Sequence, residues 1–439
     1  MKTVLASLIA IVVLAWAQGV ILGAPLTGAP LWILRQHGLH LSGLLAIAML
    51  SLATLLASRP LWLEGPLGGM DRIFRTHKWA GILAGVFSAA HWLIELSGGL
   101  LKATIGRQGR VPKEKLAGAL DGLQHLAKDM GEWAVYALLA MLAIALWQRF
   151  PYRPWRVLHR AMPVLYLMLA FHTALLAPTA YWTQPAGLLI AALLAAGVYG
   201  SVRSLTGRIG RARQTPGQIV AIDRSSPAVL GVRLRLENGW PGHRPGQFAF
   251  VSFERGEGPH PFTIAGTDRG DRELPFQIKA LGDYTATLGQ RLHVGQAVTV
   301  EGPYGRFDIA RHDRQARQIW IAGGIGVTPF LAWLESLQEN PADAPAAELH
   351  YCTRDRENDP FAARLRTLSD KLPGIRLHVH GSRQGEHLRA EQLTDSEERS
   401  RPVEIWFCGP QGLAQSLRAG LRTRWRGRLR FHQEAFAMR

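Results

Sequence analysis

Two hydrophobic patterns divide the chain near residue 200. Before this point, long apolar runs alternate with short basic segments, and each run approaches the roughly 20 residues that a helix needs to cross a bilayer core. After it, short apolar stretches alternate with polar residues, as they do in soluble domains. The pattern predicts a multi-domain protein that begins with a six-span α-helical membrane bundle. The predicted spans are Val4–Ala24, Leu39–Ala57, Trp79–Leu96, Trp133–Trp147, Leu158–Ala177 and Ala186–Val202.

The soluble part begins with short alternating runs that are separated by Gly and Pro residues. Such runs are typical of strands in an antiparallel β-barrel. We interpret the basic segment that precedes them, Val202–Pro216, as a linker. The predicted strands are Gly217–Arg224, Ala228–Glu237, Gly246–Phe253, Leu274–Ala280 and Ala297–Glu301.

From Gln318 onward, predicted strands alternate with predicted helices, which indicates an α/β doubly wound parallel sheet. The expected domain boundaries are therefore 1–205 for the membrane bundle, 214–312 for the barrel and 315–439 for the doubly wound domain. The predicted strands are Gln318–Ala322, Glu348–Thr353, Arg376–Val379, Val403–Phe407 and Arg428–His432, and the predicted helices are Thr328–Leu337, Phe361–Ser369 and Gly412–Leu421.

The charge distribution predicts a membrane topology. The chain carries 50 Lys and Arg residues against 33 Asp and Glu residues, a formal net charge of +17. These basic residues cluster at the ends of the apolar runs, as membrane topology requires, so we expect membrane lipid and not nucleic acid as a partner. Thirteen of them fall on one side of the bundle and seven on the other, which places both termini and the soluble domains in the cytoplasm of a multi-pass cell membrane protein, at the inner membrane if the source is bacterial. The basic segment Gly98–Met130 is an exception, because the same topology makes it external.

The cysteine count excludes several kinds of site. The chain contains two cysteines, Cys352 and Cys408. Two cysteines are too few for a disulfide-built scaffold or for an iron–sulfur cluster held by cysteines. They also exclude haem attachment through a CxxCH motif.

Four histidines lie near the ends of two predicted spans. His77 and His91 are fourteen residues apart around the third span, and His159 and His172 are thirteen apart around the fifth. These separations correspond to about 21 and 20 Å along a helix. Neutral imidazole is a good axial ligand of haem iron. The spacing predicts an inner haem between His77 and His159 and an outer haem between His91 and His172, with interfacial histidines at helix ends as the alternative.

The angular positions of the histidines fit this prediction only in part. On an ideal helix His91 lies within about 40° of His77, but His172 lies about 140° from His159. Pro163 lies between the second pair, and a proline inside a helix bends it or shifts its phase. We therefore expect a helix irregularity at this position.

Two glycine-containing loops in the doubly wound domain predict a nucleotide site. Gly323-Gly324-Ile325-Gly326 follows a strand and precedes a helix, where glycine lets backbone N–H groups approach a pyrophosphate. Cys408-Gly409-Pro410 ends a later strand. Ligands of such sheets bind at the carboxyl ends of the strands, so the two loops together indicate a dinucleotide.

The barrel carries three polar and aromatic motifs at the ends of its strands. They are His260-Pro261-Phe262-Thr263, Gly282-Asp283-Tyr284-Thr285 and Gly302-Pro303-Tyr304-Gly305. Hydroxyl groups beside aromatic faces suit a planar heterocycle such as a flavin. Ordinary barrel turns have similar sequences, so this alternative stays open.

Taken together, these motifs resemble the NADPH oxidase and ferric reductase superfamily, in which a six-helix cytochrome b domain precedes a ferredoxin-reductase-like dehydrogenase. The resemblance covers nearly the whole chain. It implies FAD, two haem b groups and NADPH (or NADH) as cofactors. It implies that haem iron is bound by His77, His91, His159 and His172, and that FAD is bound by His260, Pro261, Phe262, Thr263, Gly282, Asp283, Tyr284 and Thr285, with Tyr284 in place of a usual tryptophan.

The resemblance also implies roles around the nicotinamide. Thr263 would hydrogen-bond the isoalloxazine, Cys408 would lie beside the nicotinamide, and Phe436 would cover the flavin, although three residues follow it. We favour NADPH, with Arg354 at its 2′-phosphate, but Asp355 would suit NADH. The nicotinamide nucleotide is predicted to contact Gly323, Gly324, Gly326, Thr328, Pro329, Arg354, Cys408, Gly409 and Pro410.

The implied activity is electron transfer across the membrane, from cytosolic NAD(P)H through FAD and two haems to an external acceptor. Three hypotheses follow. The first and favoured one is an oxidase that reduces O2 to superoxide. The second is a ferric-chelate reductase on the same scaffold, and the third is a haem-free flavin reductase with the helices as an anchor.

Overall fold

The computed structural model describes residues 1–112, 114, 118–147, 149–254, 256–394, 402–425 and 427–434. Two compact units follow one another along the chain, with the division between Ile209 and Gly210. The first is helical and apolar, and the second contains both β-sheets. This layout confirms the predicted multi-domain fold.

The first unit contains eight α-helices in its described part. Five of these are long and apolar enough to cross a membrane: α1, α2, α4, α5 and α8. The helices are α1 (Lys2–Leu22), α2 (Pro30–Ala57), α3 (Leu61–Leu67), α4 (Met70–Ile105), α5 (Ala119–Leu146), α6 (Tyr152–His159), α7 (Met162–Leu176) and α8 (Pro185–Leu205).

Helix α2 packs along both α4 and α8, and α5 packs along α7. Small residues make the close approach possible: Ala53, Ala80 and Ala84 are at most 4% exposed. Tyr166 of α7 is fully buried beside them, where its hydroxyl hydrogen-bonds Ser51 of α2 at 2.9 Å. This packing joins α2, α4 and α7 in one apolar core, and α4 and α7 carry His77, His91 and His172.

The predicted fifth span, Leu158–Ala177, is not one continuous helix. Helix α6 ends at His159, and α7 begins at Met162 and has 15 residues. Pro163 has no N–H to donate, so it lies in the first turn of α7, where the missing donor costs nothing. The break changes the rotation of α7 relative to α6. The angle of about 140° between His159 and His172, which was calculated for one continuous helix, therefore does not apply.

The segment Gly98–Met130 is mostly helical. Helix α4 continues to Ile105 and α5 already begins at Ala119, so the predicted spans Trp79–Leu96 and Trp133–Trp147 are the apolar parts of longer helices. The length of an apolar run predicts which part of a helix crosses the membrane, but it does not predict where the helix ends. Polar residues that flank the run can continue the same helix.

The second unit begins with a six-stranded antiparallel sheet in the order β4-β3-β6-β1-β2-β5. An isolated bridge between Ile264 and Phe276 joins its two edges and closes the barrel. The strand β4 and the helix α9 were not among the predicted elements. The elements are β1 (Gln214–Asp223), β2 (Val229–Leu236), β3 (Phe248–Ser252), β4 (His260–Thr263), β5 (Glu273–Lys279), α9 (Asp283–Arg291) and β6 (Ala297–Tyr304).

The predicted linker, Val202–Pro216, is shorter than expected, because α8 continues to Leu205 and β1 begins at Gln214.

A five-stranded sheet follows the barrel, in the order β11-β10-β7-β8-β9 with all strands parallel. The first strand in sequence, β7, lies between β8 and β10, so the chain changes direction at this point of the sheet. The elements are β7 (Arg317–Gly323), α10 (Thr328–Glu339), β8 (Ala347–Thr353), α11 (Ala362–Ser369), β9 (Ile375–Gly381), α12 (Ala390–Leu393), β10 (Val403–Cys408), α13 (Gln411–Arg424) and β11 (Leu429–Glu434).

Candidate functional site

The helical unit brings its four predicted histidines together as two pairs. The ring centroids of His77 and His159, the inner pair, are 6.2 Å apart. Those of His91 and His172, the outer pair, are 6.3 Å apart. The partners are the ones that the spacing along the spans predicted.

This separation suits a metal ion between two imidazoles. A metal–nitrogen bond is about 2 Å long, and the ring centre lies about 1 Å behind the nitrogen, so two imidazoles on opposite sides of one ion have centroids about 6 Å apart. Direct ring stacking would bring them closer, and a hydrogen bond between the rings would align them along an N–H. The observed distances therefore fit axial ligation of haem iron.

The other ring nitrogens point away from the gap and hydrogen-bond the backbone. The Nδ1 atoms of His77, His91 and His172 lie 2.8, 3.0 and 2.9 Å from the carbonyl oxygens of Ala53, Leu39 and Ala127, respectively. A histidine that ligates a metal through Nε2 usually donates its Nδ1–H in this way, which fixes the tautomer. His159 instead stacks on Trp155 with centroids 5.1 Å apart, and its Nδ1 has no hydrogen-bond partner among the described residues.

Glycine residues leave room for the outer pair. A Cβ at Gly131 of α5 would lie 2.0 Å from Nδ1 of His172, and one at Gly43 of α2 would lie 3.2 Å from the His91 ring. Only glycine therefore fits at position 131 with His172 in this orientation. Neither glycine was among the predicted site residues.

In the barrel, the two predicted flavin motifs meet. His260 begins β4, and Tyr284 lies in the first turn of α9. Their rings stack with centroids 4.4 Å apart and an angle of 18° between planes. The sequence separates these residues by a strand and two loops, and the barrel closure brings them together.

The first turn of α9 is formed by the motif Gly282–Thr285. The Thr285 hydroxyl accepts hydrogen bonds from the N–H groups of Leu281 and Gly282, at 3.0 and 3.1 Å, and thereby fixes the turn. The following N–H groups of the first turn have no partner within the helix, and such an N-terminus attracts phosphate. A Cβ at Gly282 would meet no heavy atom within 4 Å, so this surface is open to a ligand. The residues fit the diphosphate of FAD.

Thr263, at the end of β4, is buried and lies opposite Phe248 of β3 in the strand register. Phe248 in turn lies opposite Tyr304 of β6. A Cβ at Gly305 would lie 3.1 Å from Phe248 and 3.0 Å from Oε1 of Glu434, at the end of β11. The flavin strand therefore lies close to the carboxyl end of the nucleotide sheet.

The two predicted nucleotide loops are in contact. A Cβ at Gly326 would lie 2.2 Å from the Cys408 carbonyl oxygen, and one at Gly323 would lie 2.5 Å from Pro410. Both loops follow neighbouring strands, β7 and β10, at the point where the strand order reverses. This is the position at which parallel α/β sheets bind their ligands.

Within the first loop, Gly324 has φ +55°, a value that residues with a side chain rarely adopt. Thr328 begins α10, where its hydroxyl donates to the Ile325 carbonyl at 2.7 Å, and Pro329 follows in the same turn. A Cβ at Gly324 would lie 3.6 Å from Nζ of Lys279 in the barrel, so an ammonium group lies over the loop. The charge and the exposed backbone of the loop suit a pyrophosphate.

Cys408 is buried, and β11 places Glu434 opposite it in the register. Burial and the nearby Glu434 carboxylate raise the pKa of the Cys408 thiol well above its usual value. The thiol therefore stays protonated and uncharged at neutral pH. Glu434 was not among the predicted site residues, although it lies two residues before Phe436.

The predicted selectivity residue Arg354 is exposed just beyond β8. The neighbouring Asp355 accepts hydrogen bonds from Asn358 and Arg383, at 3.1 and 3.0 Å, and these contacts hold its pKa at about 2. Arg383 also donates its backbone N–H to the Arg354 carbonyl at 2.9 Å, so it lies beside the predicted 2′-phosphate position. Phe436 lies outside the described residues.

Comparison with protein families covers both units. Residues 42–170 match the family described as the ferric reductase like transmembrane component. Residues 217–308 match an FAD-binding domain, and residues 320–419 match an oxidoreductase NAD-binding domain. The chain has the architecture of the NADPH oxidase and ferric reductase superfamily. Its domains are those of a membrane oxidoreductase that uses FAD and a nicotinamide nucleotide.

Relatives of known function share part of this superfamily architecture. The anthranilate 1,2-dioxygenase electron transfer component of Acinetobacter baylyi is 24% identical over 40% of this chain and 53% of its own length. The carnitine monooxygenase reductase subunit of Escherichia coli is 32% identical over 30% of this chain and 38% of its own length. The chain thus spans about half or less of the length of each of these relatives.

Two solved structures are similar to the chain at low sequence identity. The flavohemoglobin of Malassezia yamatoensis is 18% identical, with a TM-score of 0.47 over 77% of this chain and 92% of that protein. A ferredoxin NADP+ reductase from Neisseria gonorrhoeae is 17% identical, with a TM-score of 0.42 over 50% of this chain and 98% of that protein.

Proposed function

We propose that the protein passes electrons from cytosolic NAD(P)H through FAD and two b-type haems to an acceptor on the other side of the membrane. The observation that carries this proposal is the arrangement of the histidines as two pairs, each with the spacing of axial haem ligands and separated along α4 by fourteen residues. Two sites about 21 Å apart along the helix would reach most of the way across the bilayer core.

The cofactors supply the redox chemistry, because nicotinamide gives a hydride, haem iron takes single electrons, and a flavin exchanges both. The side chains of this protein bind and orient them. His77 and His159 would hold the inner haem, and His91 and His172 the outer haem. The backbone carbonyls beside Nδ1 would leave Nε2 of His77, His91 and His172 available to bind iron.

In the soluble unit, Thr263 would orient the flavin, and the loops ending in Gly326 and Pro410 would bind the nicotinamide nucleotide. The neutral Cys408 thiol would add no charge of its own beside the nicotinamide. Phe436 would cover the flavin before the nicotinamide arrives.

NADPH is the proposed donor because the acidic residue at the ribose is already paired. Arg383 and Asn358 hydrogen-bond Asp355, whereas none of the described residues forms an ion pair with the exposed Arg354 guanidinium. A 2′-phosphate would give Arg354 the anion that it lacks, and ribose hydroxyls would have to displace Arg383 from Asp355.

The proposed acceptor is O2, which would leave as superoxide. Two loop contacts at the end of the bundle near the outer pair support this proposal: Ala29 donates its N–H to the Gly109 carbonyl at 2.8 Å, and Thr179 donates its N–H to Glu114 at 2.9 Å. Loops held over the outer haem site would admit a small neutral molecule more readily than a bulky ferric chelate. The charge pattern supports an orientation with this end outside and the soluble unit in the cytoplasm.

The test uses purified protein loaded with FAD and haem. We expect NADPH to reduce the haem, seen as a sharpened Soret and α absorption, and to drive dye reduction that superoxide dismutase abolishes. Reduced haem that is stable in air but is oxidised by ferric chelates would replace the oxidase with a ferric-chelate reductase. Failure of the purified chain to bind haem during loading would leave only a membrane-anchored flavin reductase.

A further inference from the structure

Three imidazoles and a carboxylate lie together on one face of the nucleotide sheet, away from the loops that bind the nucleotide. Glu348 and His350 are two residues apart on β8, so their side chains lie on the same face. The parallel register places His378 opposite His350, and His380 two residues further along β9, opposite Cys352, on the same face. The sequence pattern did not predict this cluster, because the register of two strands creates it.

The donor atoms of three of these residues converge. One ligand atom from each of Glu348, His350 and His378 lies within 4.8 Å of the other two. Nε2 of His350 is 3.6 Å from Oε2 of Glu348, which is too long for a hydrogen bond. Two ligands bound to one zinc ion at about 2.0–2.1 Å with tetrahedral angles are about 3.4 Å apart, so the observed gap is close to that of a shared metal.

One of the two neutral tautomers of His350 leaves a lone pair facing this gap. His350 is 4% exposed, and its Nδ1 lies 3.1 Å from Nε2 of His380. When Nδ1–H donates to His380, the Nε2 lone pair points at the Glu348 carboxylate, and among the described residues Nε2 has no hydrogen-bond partner. A lone pair facing a carboxylate is repulsive unless a cation lies between them.

Surrounding residues fix the orientation of Glu348 and His350 through hydrogen bonds, as is typical of metal ligands. Arg317 donates to both oxygens of Glu348, at 2.8 and 3.0 Å, and so fixes the carboxylate, while His380 fixes the His350 ring. Hydrogen bonds of this kind orient metal ligands. His378 is exposed on the edge strand β9, so its ring, now stacked on His350 with centroids 4.8 Å apart, is free to turn toward the gap and leaves a path for entry.

We propose that Glu348, His350 and His378 form a binding site for a divalent transition metal of the zinc class, with water as the fourth ligand. Two imidazoles, one carboxylate and one open position are a ligand set that zinc adopts in proteins. The site would bridge β8 and β9, the strands whose carboxyl ends carry Arg354 and Arg383. It is separate from the haem and nucleotide sites, so its occupancy is measurable in the loaded enzyme.

The test is equilibrium dialysis of zinc against the full chain, loaded with FAD and haem, purified without a histidine tag and treated with a chelator. We expect one zinc per chain, and His378→Ala should weaken its binding by at least about tenfold. Because His378 is exposed, this variant should retain the fold. The matched control is His387→Ala, which removes an exposed histidine of the same domain outside the cluster and should bind zinc as the wild type does.

X-ray absorption spectroscopy at the zinc edge, on the sample that contains zinc, provides the second measurement. Nitrogen and oxygen ligands at about 2.0–2.1 Å with two imidazoles would support the site. Wild-type protein that binds zinc no more tightly than His378→Ala would overturn it. A proton on His350 would then be the cation between the two groups.

Discussion

At the scale of single residues, the two ring nitrogens of each imidazole in the outer pair have different roles. Nδ1 of His172 hydrogen-bonds Ala127, which leaves Nε2 for iron. Replacing His172 with alanine removes the ligand but changes nothing in the soluble unit. We therefore expect His172→Ala to contain one haem per chain instead of two, with flavin reduction by NADPH at the wild-type rate. The ratio of haem to flavin in the purified variant measures the haem content, and stopped-flow absorbance of the flavin measures the rate of its reduction.

The control for this variant is His125→Ala, which removes an exposed histidine of α5 that belongs to neither pair. It should retain two haems. An unchanged haem content in His172→Ala would show that the ligand assignment is wrong.

Arg354 provides a second test at this scale, because it would contact only the 2′-phosphate that distinguishes NADPH from NADH. A hydrogen bond to a charged group contributes about 1.5–3 kcal/mol, which corresponds to about 10–140-fold in affinity. We expect Arg354→Ala to raise the KM for NADPH by this factor and to leave the KM for NADH unchanged. Steady-state kinetics with both nucleotides provide the measurement, and an equal rise for both would contradict the assigned role.

At the scale of elements, close packing of α5 against α7 positions His172. A Cβ at Gly131 would lie 2.0 Å from the imidazole, so Gly131→Ala should displace the ring and lower the haem content toward one per chain. Gly122→Ala on the same helix is the matched control, because a Cβ there meets no heavy atom within 4 Å. It should keep both haems and slightly stabilise the helix, since alanine favours helix by about 1 kcal/mol over glycine. Equal haem content in the two variants would contradict the packing argument.

The elements also show how far sequence alone predicts this molecule. The pairing of His77 with His159 and of His91 with His172 followed from depth, because a helix rises by a constant 1.5 Å per residue. The break before Met162 was foreseen only as an irregularity at Pro163, since the sequence does not say whether a helix bends or ends there. The stacking of Tyr284 on His260 and the cluster around His350 depend on barrel closure and strand register, which residue patterns do not encode directly.

At the scale of the whole molecule, the order of the domains along the chain is the reverse of the order of the proposed electron transfer. The chain runs from the haem-binding helices to the FAD barrel and then to the nucleotide sheet, and electrons would pass in the opposite direction. The proposed donor, NADPH, is charged and does not cross a bilayer, so its site must face the compartment that contains it. The membrane orientation therefore decides where activity is observed.

This orientation gives a prediction for sealed membranes. In right-side-out vesicles, external NADPH should drive almost no superoxide formation, because the soluble unit lies inside. In inverted vesicles, the same NADPH should be oxidised, and superoxide should appear in the lumen, where externally added dismutase does not reach it. Permeabilising the right-side-out vesicles is the control and should restore NADPH oxidation to the inverted level. Full activity in intact right-side-out vesicles would reverse the topology that the basic residues predict, and would give the segment Gly98–Met130 the cytoplasmic position that its own charge favours.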